Sequence, residues 1–233
     1  MAKKSGRVEA SRFFKKCVHF ALLSFFFILA LGNFVWAVWV DADGSGQESV
    51  NILITSGTAS RPSVSLDSSG TPYIVWEDTS PGNSEIYLLK WNGTKWVDVK
   101  GSPGRESINI TNNAGPSEYA SLCLDSSGKP HIAWHDFISA NNEIYYLKWN
   151  GTEWVDADGL GQESKNISNT VNSSFYPSLS LDSSGNPHIA WKDLISGNNF
   201  DIYYLKWDGV KKEWVDADGL GRESINVSSN SGY

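Results

Sequence analysis

The chain has 233 residues, with 11 Trp, 9 Tyr and 10 Phe but only 2 Cys, and a formal charge of −7, which excludes a disordered tail and a disulfide-stapled miniprotein. The charge is uneven: residues 1–37 hold six Lys/Arg against one acid, while residues 38–233 hold 13 against 25, a net of −12. A body that acidic is repelled by phosphate backbones, so nucleic acid is excluded as a partner.

The head comes first. Lys3, Lys4, Arg7, Arg12, Lys15 and Lys16 precede an apolar run from Ala21 to Leu31, the order of a secretory signal. Gly32 and Asn33 weaken the helix, and Val35 and Ala37 suit cleavage after Ala37, making 1–37 a signal peptide. The competing reading is an uncleaved anchor, because Cys17 to Val40 is 24 residues, enough to span about 30 Å of bilayer as a hydrophobic helix. Its basic flank would stay in the cytoplasm. On either reading the body is exported, secreted or held at the cell surface, and meets the membrane only through this segment. Cys123 stands alone in the body, at the position that other repeats fill with Ser65 and Ser180. It reads as a small buried residue in a strand.

The body is one unit written three times. Trp39, Trp96, Trp154 and Trp214 are 57, 58 and 60 residues apart, and each opens the same phrase: WVDADGSGQES, WVDVKGSPGRES, WVDADGLGQES and WVDADGLGRES. Between them recur PSVSLDSSGTPYIVWED with EIYLLKWNG, ASLCLDSSGKPHIAWHD with EIYYLKWNG, and PSLSLDSSGNPHIAWKD with DIYYLKWDG. The repeats span 38–95, 96–153 and 154–213, and 214–233 starts a fourth.

Within a unit the segments are short, β-branched and aromatic, with Gly, Ser, Asn and Pro between them, so they predict strands. Strands are expected at Ser63 to Leu66, Tyr73 to Trp76, Ile86 to Trp91 and from Trp96. Asp67 to Gly70 and Asn92-Gly93 form the turns, and SINIT (Ser107 to Thr111) completes the fourth strand after the DADG loop. Alternation places Ile132 and Trp134 on one face of the second strand, with His131, Ala133 and His135 on the other. Tyr145, Leu147 and Trp149 share a face of the third strand, opposite Ile144 and Tyr146. Both faces are largely apolar, so each sheet must be stacked on another. A period of about 58 residues with four strands implies an all-β, β-propeller-type array of four-stranded antiparallel blades.

The LDSSGxPHIAWxD and IYYLKWNGxxW phrases resemble the repeats of exported bacterial and archaeal propellers of the broad sialidase-like, Asp-box group, over all of residues 38–233. The resemblance implies blades more than an activity, because Asp67, Gly70 and Trp76 are spaced more widely than that box. Asn230 to Tyr233 aligns with Ser173 to Tyr176, so the chain stops where another strand is due. Propellers typically have 4 to 8 blades, so an incomplete propeller is expected. A truncated reading frame is favoured over completion by further blades or other chains.

Three sets of residues are candidates for a site. The Asp-Ala-Asp-Gly loops offer Asp41 and Asp43, Asp156 and Asp158, and Asp216 and Asp218 as oxygen ligands for Ca²⁺. They fail the EF-hand pattern, which finds Ser45 or Leu160 at position 5 and Ile52 or Ile167 at position 12, and the simpler reading is an acidic turn. No other cofactor is implied. The tryptophans suggest sugar stacking, but Trp76, Trp134 and Trp191 recur at one position and Trp91, Trp149 and Trp207 at another, and the two positions read as lying on alternating faces. Burying each ring contributes roughly 4–6 kcal/mol, so packing is the simpler role. Asp78, Asp136 and Asp193 are constant, whereas the residues before them vary as Glu77, His135 and Lys192. These six are the candidate ligand surface. Sequons at Asn92, Asn109, Asn150, Asn166, Asn172 and Asn226 read as turn composition.

No catalytic set is assigned. A sialidase-like site would imply three Arg, a Tyr nucleophile and acids, and the body has only Arg61, Arg105 and Arg222. The sequence therefore points to an exported binding or scaffold module for an extracellular glycan or protein. The alternative is the N-terminal part of a sialidase-like glycoside hydrolase.

Overall fold

The computed structural model describes Gly44, Ile52 and residues 55–228, except 103–107, 139, 162–164, 220 and 222–224. The targeting segment, Asp41, Asp43 and residues 229–233 lie outside the described residues. The chain divides between Glu48 and Ser49, and the described strands all belong to the second unit.

Among the described residues there are fifteen strands and no helix. Sheet 1 contains β1 (Ala59–Leu66), β2 (Pro72–Asp78), β3 (Glu85–Trp91), β4 (Trp96–Val97) and β5 (Ile108–Asn109). Sheet 2 contains β6 (Ser117–Leu124), β7 (Pro130–Asp136), β8 (Glu143–Trp149), β9 (Trp154–Val155) and β10 (Lys165–Asn166). Sheet 3 contains β11 (Ser174–Leu181), β12 (Pro187–Ser196), β13 (Asn199–Asp208), β14 (Glu213–Val215) and β15 (Ile225–Asn226).

Each sheet is an antiparallel meander whose outer strand is split in two, both pieces pairing with the third strand. The DADG loop makes the split, and SINIT supplies β5 as expected, with Ile108 opposite Leu88 and Asn109 opposite Tyr87. The sheets are offset from the sequence units, since each takes its outer strand from the opening phrase of the next unit.

Local chemistry explains the turns. In Asp67-Ser68-Ser69-Gly70 the Gly70 N–H donates to the Asp67 carbonyl at 2.9 Å, while Asp67 Oδ1 accepts the N–H groups of Ser69 and Thr71. Gly70 sits at φ +84°, where a side chain would be strained. Asp125 and Asp182 repeat the arrangement.

Two apolar clusters weld the sheets in sequence order. The first joins Tyr73, Val75, Ile86 and Leu88 of sheet 1 to Leu122, Ile132, Trp134, Leu147 and Trp149 of sheet 2. The second joins Ala133, Ile144 and Tyr146 of sheet 2 to Leu179, Ile189, Trp191, Leu205 and Trp207 of sheet 3. The expected strand alternation holds, but the tryptophan assignment does not. Trp134 and Trp149 lie in one cluster, and Trp191 and Trp207 in the next, so both Trp positions share the face turned to the preceding sheet. Pairing explains this, because Trp134 is registered with Tyr145 and Tyr145 lies four residues, an even step, from Trp149. Each second-strand Trp stacks on its Tyr partner at 5.9–6.2 Å. Each third-strand Trp meets the Trp that opens the outer strand edge-on at 5.7 Å.

Trp191→Ala, which empties a fully enclosed position in the second cluster, is expected to cost about 3–5 kcal/mol. Guanidinium unfolding followed by far-UV circular dichroism measures it, and an unchanged midpoint would contradict this packing.

Candidate functional site

The constant and the varied residues at the end of the second strand have different surroundings. Asp136 is fully buried and accepts from Trp134 Nε1 at 3.0 Å, Ser117 Oγ at 2.8 Å and Asn113 Nδ2 at 2.7 Å. Asn113 belongs to the link arriving from sheet 1. Asp78 accepts Thr55 Oγ1 at 2.8 Å, and Asp193 accepts Thr170 Oγ1 at 3.5 Å, from the corresponding links. The other side of each link is held by a second acid that sequence reasoning missed. Thr111 and the Asn113 N–H donate to Glu85, Ser168 and the Thr170 N–H to Glu143, and Ser228 to Asp201. Its signal was present, as an acid opening every EIYLLKW-type phrase. The constant Asp residues thus sit where sheets are joined, and burial raises the carboxyl of Asp136 and lifts that of Asp193 to about 6, with the nearby Glu143 charge assisting at Asp193.

The varied residues meet a set of side chains from the start of each first strand. Arg61, Tyr119 and Tyr176 occupy equivalent positions, each in a β-bulge with φ of +49°, +56° and +55°. The left-handed turn re-aims these side chains out of the alternating pattern. Glu77 accepts from Arg61 and from the Tyr119 N–H of the next sheet. His135 Nδ1 accepts the Tyr176 N–H of the sheet after that at 3.4 Å. The same position therefore clamps the following bulge twice, once through a carboxylate and once through an imidazole. Lys192, in the third sheet, lies 3.7 Å from the Phe200 ring and 5.2 Å from Tyr176.

Together these residues form one cluster drawn from three sheets. The Arg61 guanidinium lies over the Tyr119 ring at 4.0 Å, a cation–π contact, and 3.7 Å from Glu118. Tyr119 stacks on His135 at 5.1 Å and meets Tyr176 edge-on at 4.3 Å. Above them opens a cleft of about 300 Å³, lined by Arg61, Tyr119, Tyr176, Pro62 and Pro177 among others. Glu77 and His135 are buried beneath it, and Tyr176, 46% exposed, presents its ring. Sequence reasoning found Glu77, His135 and Lys192 but missed Arg61, Tyr119 and Tyr176, whose signal was a position that diverges just before an otherwise repeated strand.

The acidic loops are turns with lysines drawn onto them. Lys165 Nζ lies 2.7 Å from Asp156 and 2.9 Å from Asp158, between the two proposed ligands. Lys148 and Lys206 donate to the loop carbonyls of Ala157 and Ala217 at 2.8 and 2.9 Å. Asp216 is buried and accepts the Gly219 N–H at 2.9 Å, while Asp218 is exposed. Among the described residues no group of three or more His, Cys, Asp or Glu is placed to hold a metal ion.

No family model matches the sequence, and no curated protein matches it. Solved structures are similar to this chain, and the fold is shared with the first two. An ulvan lyase of polysaccharide lyase family PL25, bound to -[GlcA(1-4)Rha3S]-, is 16% identical with a TM-score of 0.53, over 72% of this chain and 44% of the lyase. The lyase in a second structure gives 0.52 at the same identity and coverage. A fucose lectin from Kordia zhangzhouensis, in complex with methyl-fucoside, is 22% identical over 66% of this chain and 96% of the lectin, with a TM-score of 0.38. The chain thus spans less than half the length of the lyase with which it shares its fold.

His135 gives the site a pH signature. Burial, assisted by the Arg61 charge, lowers its pKa to about 4, which agrees with a ring nitrogen that accepts a hydrogen bond. The folded value lies below the unfolded one, so the neutral ring stabilises the fold above pH 6.5, and this contribution is lost as pH falls from 6.5 towards 4. Between pH 7 and pH 4 the wild type is expected to lose on the order of 3 kcal/mol more than His135→Gln. Urea unfolding of both proteins at the two pH values measures the difference, and parallel losses would contradict it.

Proposed function

We propose that this chain is an exported, cell-surface β-repeat protein that binds glycan in the cleft at Arg61, Tyr119 and Tyr176. The observation that carries the reading is a convergence. The repeats are nearly identical, yet positions that differ among them, 61/119/176 and 77/135/192, come together at one place. Packing alone favours the same residue in every copy, as the tryptophans illustrate. Other positions differ too, among them Tyr73/His131/His188 and Leu88/Tyr146/Tyr204, but these six meet around one cleft, and an unlike set of side chains there suits a single asymmetric ligand.

The chemistry of the cleft suits a sugar. An exposed Tyr ring offers an apolar face for stacking, prolines stiffen the walls, and a guanidinium beside two carboxylates supplies oriented donors and acceptors. Rings and prolines lose little entropy when a ligand binds. The fold shared with a lyase whose structure holds a GlcA–Rha3S glycan supports the same ligand class. The sheets are then blades of a propeller-type array of the sialidase-like group, supported by the recurring four-stranded meanders, and export is supported by the basic and apolar order of residues 1–37.

A glycan array probed with the purified chain is expected to give selective binding. Tyr176→Ala, at an exposed ring, is expected to weaken the best ligand about tenfold, equivalent to about 1.4 kcal/mol, with wild-type circular dichroism. No glycan bound, or full affinity in both Tyr176→Ala and Arg61→Ala, would overturn the reading.

A further inference from the structure

The two contacts between neighbouring sheets are one contact made twice. Leu122 and Ile132 of sheet 2 pack with Ile86 and Leu88 of sheet 1, and Leu179 and Ile189 of sheet 3 pack with Ile144 and Tyr146 of sheet 2. The donating half therefore comes from the first two strands of each following sheet, with Leu147 and Trp149 or Leu205 and Trp207 of its third strand, and the receiving half from the second and third strands of the sheet before.

Both halves recur at the ends of the stack, where their outer aliphatic residues lie open, although Trp76, the counterpart of Trp134 and Trp191, is 3% exposed. Ile86 and Ile144 are 0% exposed, whereas Ile202, their counterpart on sheet 3, is 42% exposed. Leu122 and Leu179 are 6% exposed, whereas Val64, their counterpart on sheet 1, is 64% exposed. Leu66 stands where Leu124 and Leu181 are half-buried, and it is 61% exposed. Apolar side chains that fill an interface twice are thus presented to solvent a third time, in complementary halves.

The open receiving face is already organised. His188 Nδ1 and the Tyr204 hydroxyl are 2.6 Å apart on sheet 3, matching His131 and Tyr146, which are 2.5 Å apart in the buried contact of sheet 2. The open donating strand β1 carries the same bulge and the same register with its partner as β6 and β11. Both halves thus keep the strand geometry of the internal contact.

We propose that sheet 3 of one copy of this chain receives β1 and β2 of a second copy, through a contact that reproduces the internal one. The occupant is a second copy because each open face is the match of the other, and the internal contacts supply the template for their fit. Such a contact is heterologous, so copies add head to tail. One internal hydrogen bond has no counterpart: Lys192, a donor, stands where Glu77 and His135 accept the N–H of the next bulge. The contact is therefore held by its apolar face rather than by its inner edge.

Sedimentation velocity of the purified full chain tests this. The wild type is expected to sediment as an oligomer, and Ile202→Asp and Val64→Asp, at opposite faces, are each expected to be monomeric with wild-type circular dichroism. Mixing the two variants restores a one-to-one complex, because the intact donating face of Ile202→Asp meets the intact receiving face of Val64→Asp. Leu66→Asp serves as a second donating-face variant and behaves as Val64→Asp does. A monomeric wild type overturns the proposal and leaves the two faces to a different occupant. So does an oligomer that survives the substitutions, or a mixture that stays monomeric.

Discussion

Each sheet in this protein is apolar on both sides, and no sheet can satisfy that condition alone. Ile132 and Trp134 face backwards while Ala133 faces forwards, and the third strand repeats the division with Leu147 and Trp149 against Ile144 and Tyr146. A sheet exposed on one face would leave several large side chains in water, each worth roughly 1.5–3 kcal/mol when buried. Stacking is thus the condition for folding, and the fixed direction of the stack comes from it. Both Trp positions face the preceding sheet, so every contact sets these Trp rings against a face of smaller side chains and a Tyr, Tyr73 in one contact and Tyr146 in the next.

That dependence explains the buried acids. Chain must pass from the outer edge of one sheet to the inner edge of the next, and the passing segment has backbone groups that no strand pairs. Glu85 and Asp136 hold the link between sheets 1 and 2 from its two ends, and Glu143 and Asp193 hold the next. Carboxylates serve here because each offers two oxygens to several donors, at the cost of burying charge. Burial accordingly raises Glu85, Asp136 and Asp193. The acidity of the body is therefore partly structural, located in links and turns rather than displayed to a ligand.

Against this uniform frame the cleft stands out as a departure from repetition. The bulges at Arg61, Tyr119 and Tyr176 turn one residue per sheet out of the pleat and towards its neighbours. Since the backbone is the same in all three, chemistry at this place is set by the side chain alone. Arg, Tyr and Tyr above Glu, His and Lys give an asymmetric surface on a repeated scaffold.

Much of the fold was legible because repetition tests every assignment three times. The strands, both turn types and the split outer strand arise from LDSSG, Asn-Gly and the DADG phrase, all local patterns. The Trp faces were misread because faces on different strands can be compared only once register is known, and register is a property of pairing. The first-strand cluster was missed because Arg61 and the two tyrosines lie at bulges, which break the alternation by which side-chain direction is read. The linking acids were overlooked because the link groups that they hold lie 25 or more residues away in sequence. The strands, the repeat and the two-sided hydrophobicity can be read from the residues alone, since they depend on near neighbours. Which variable residues meet and which apolar faces stay open could not be read there, because both depend on how successive sheets stack.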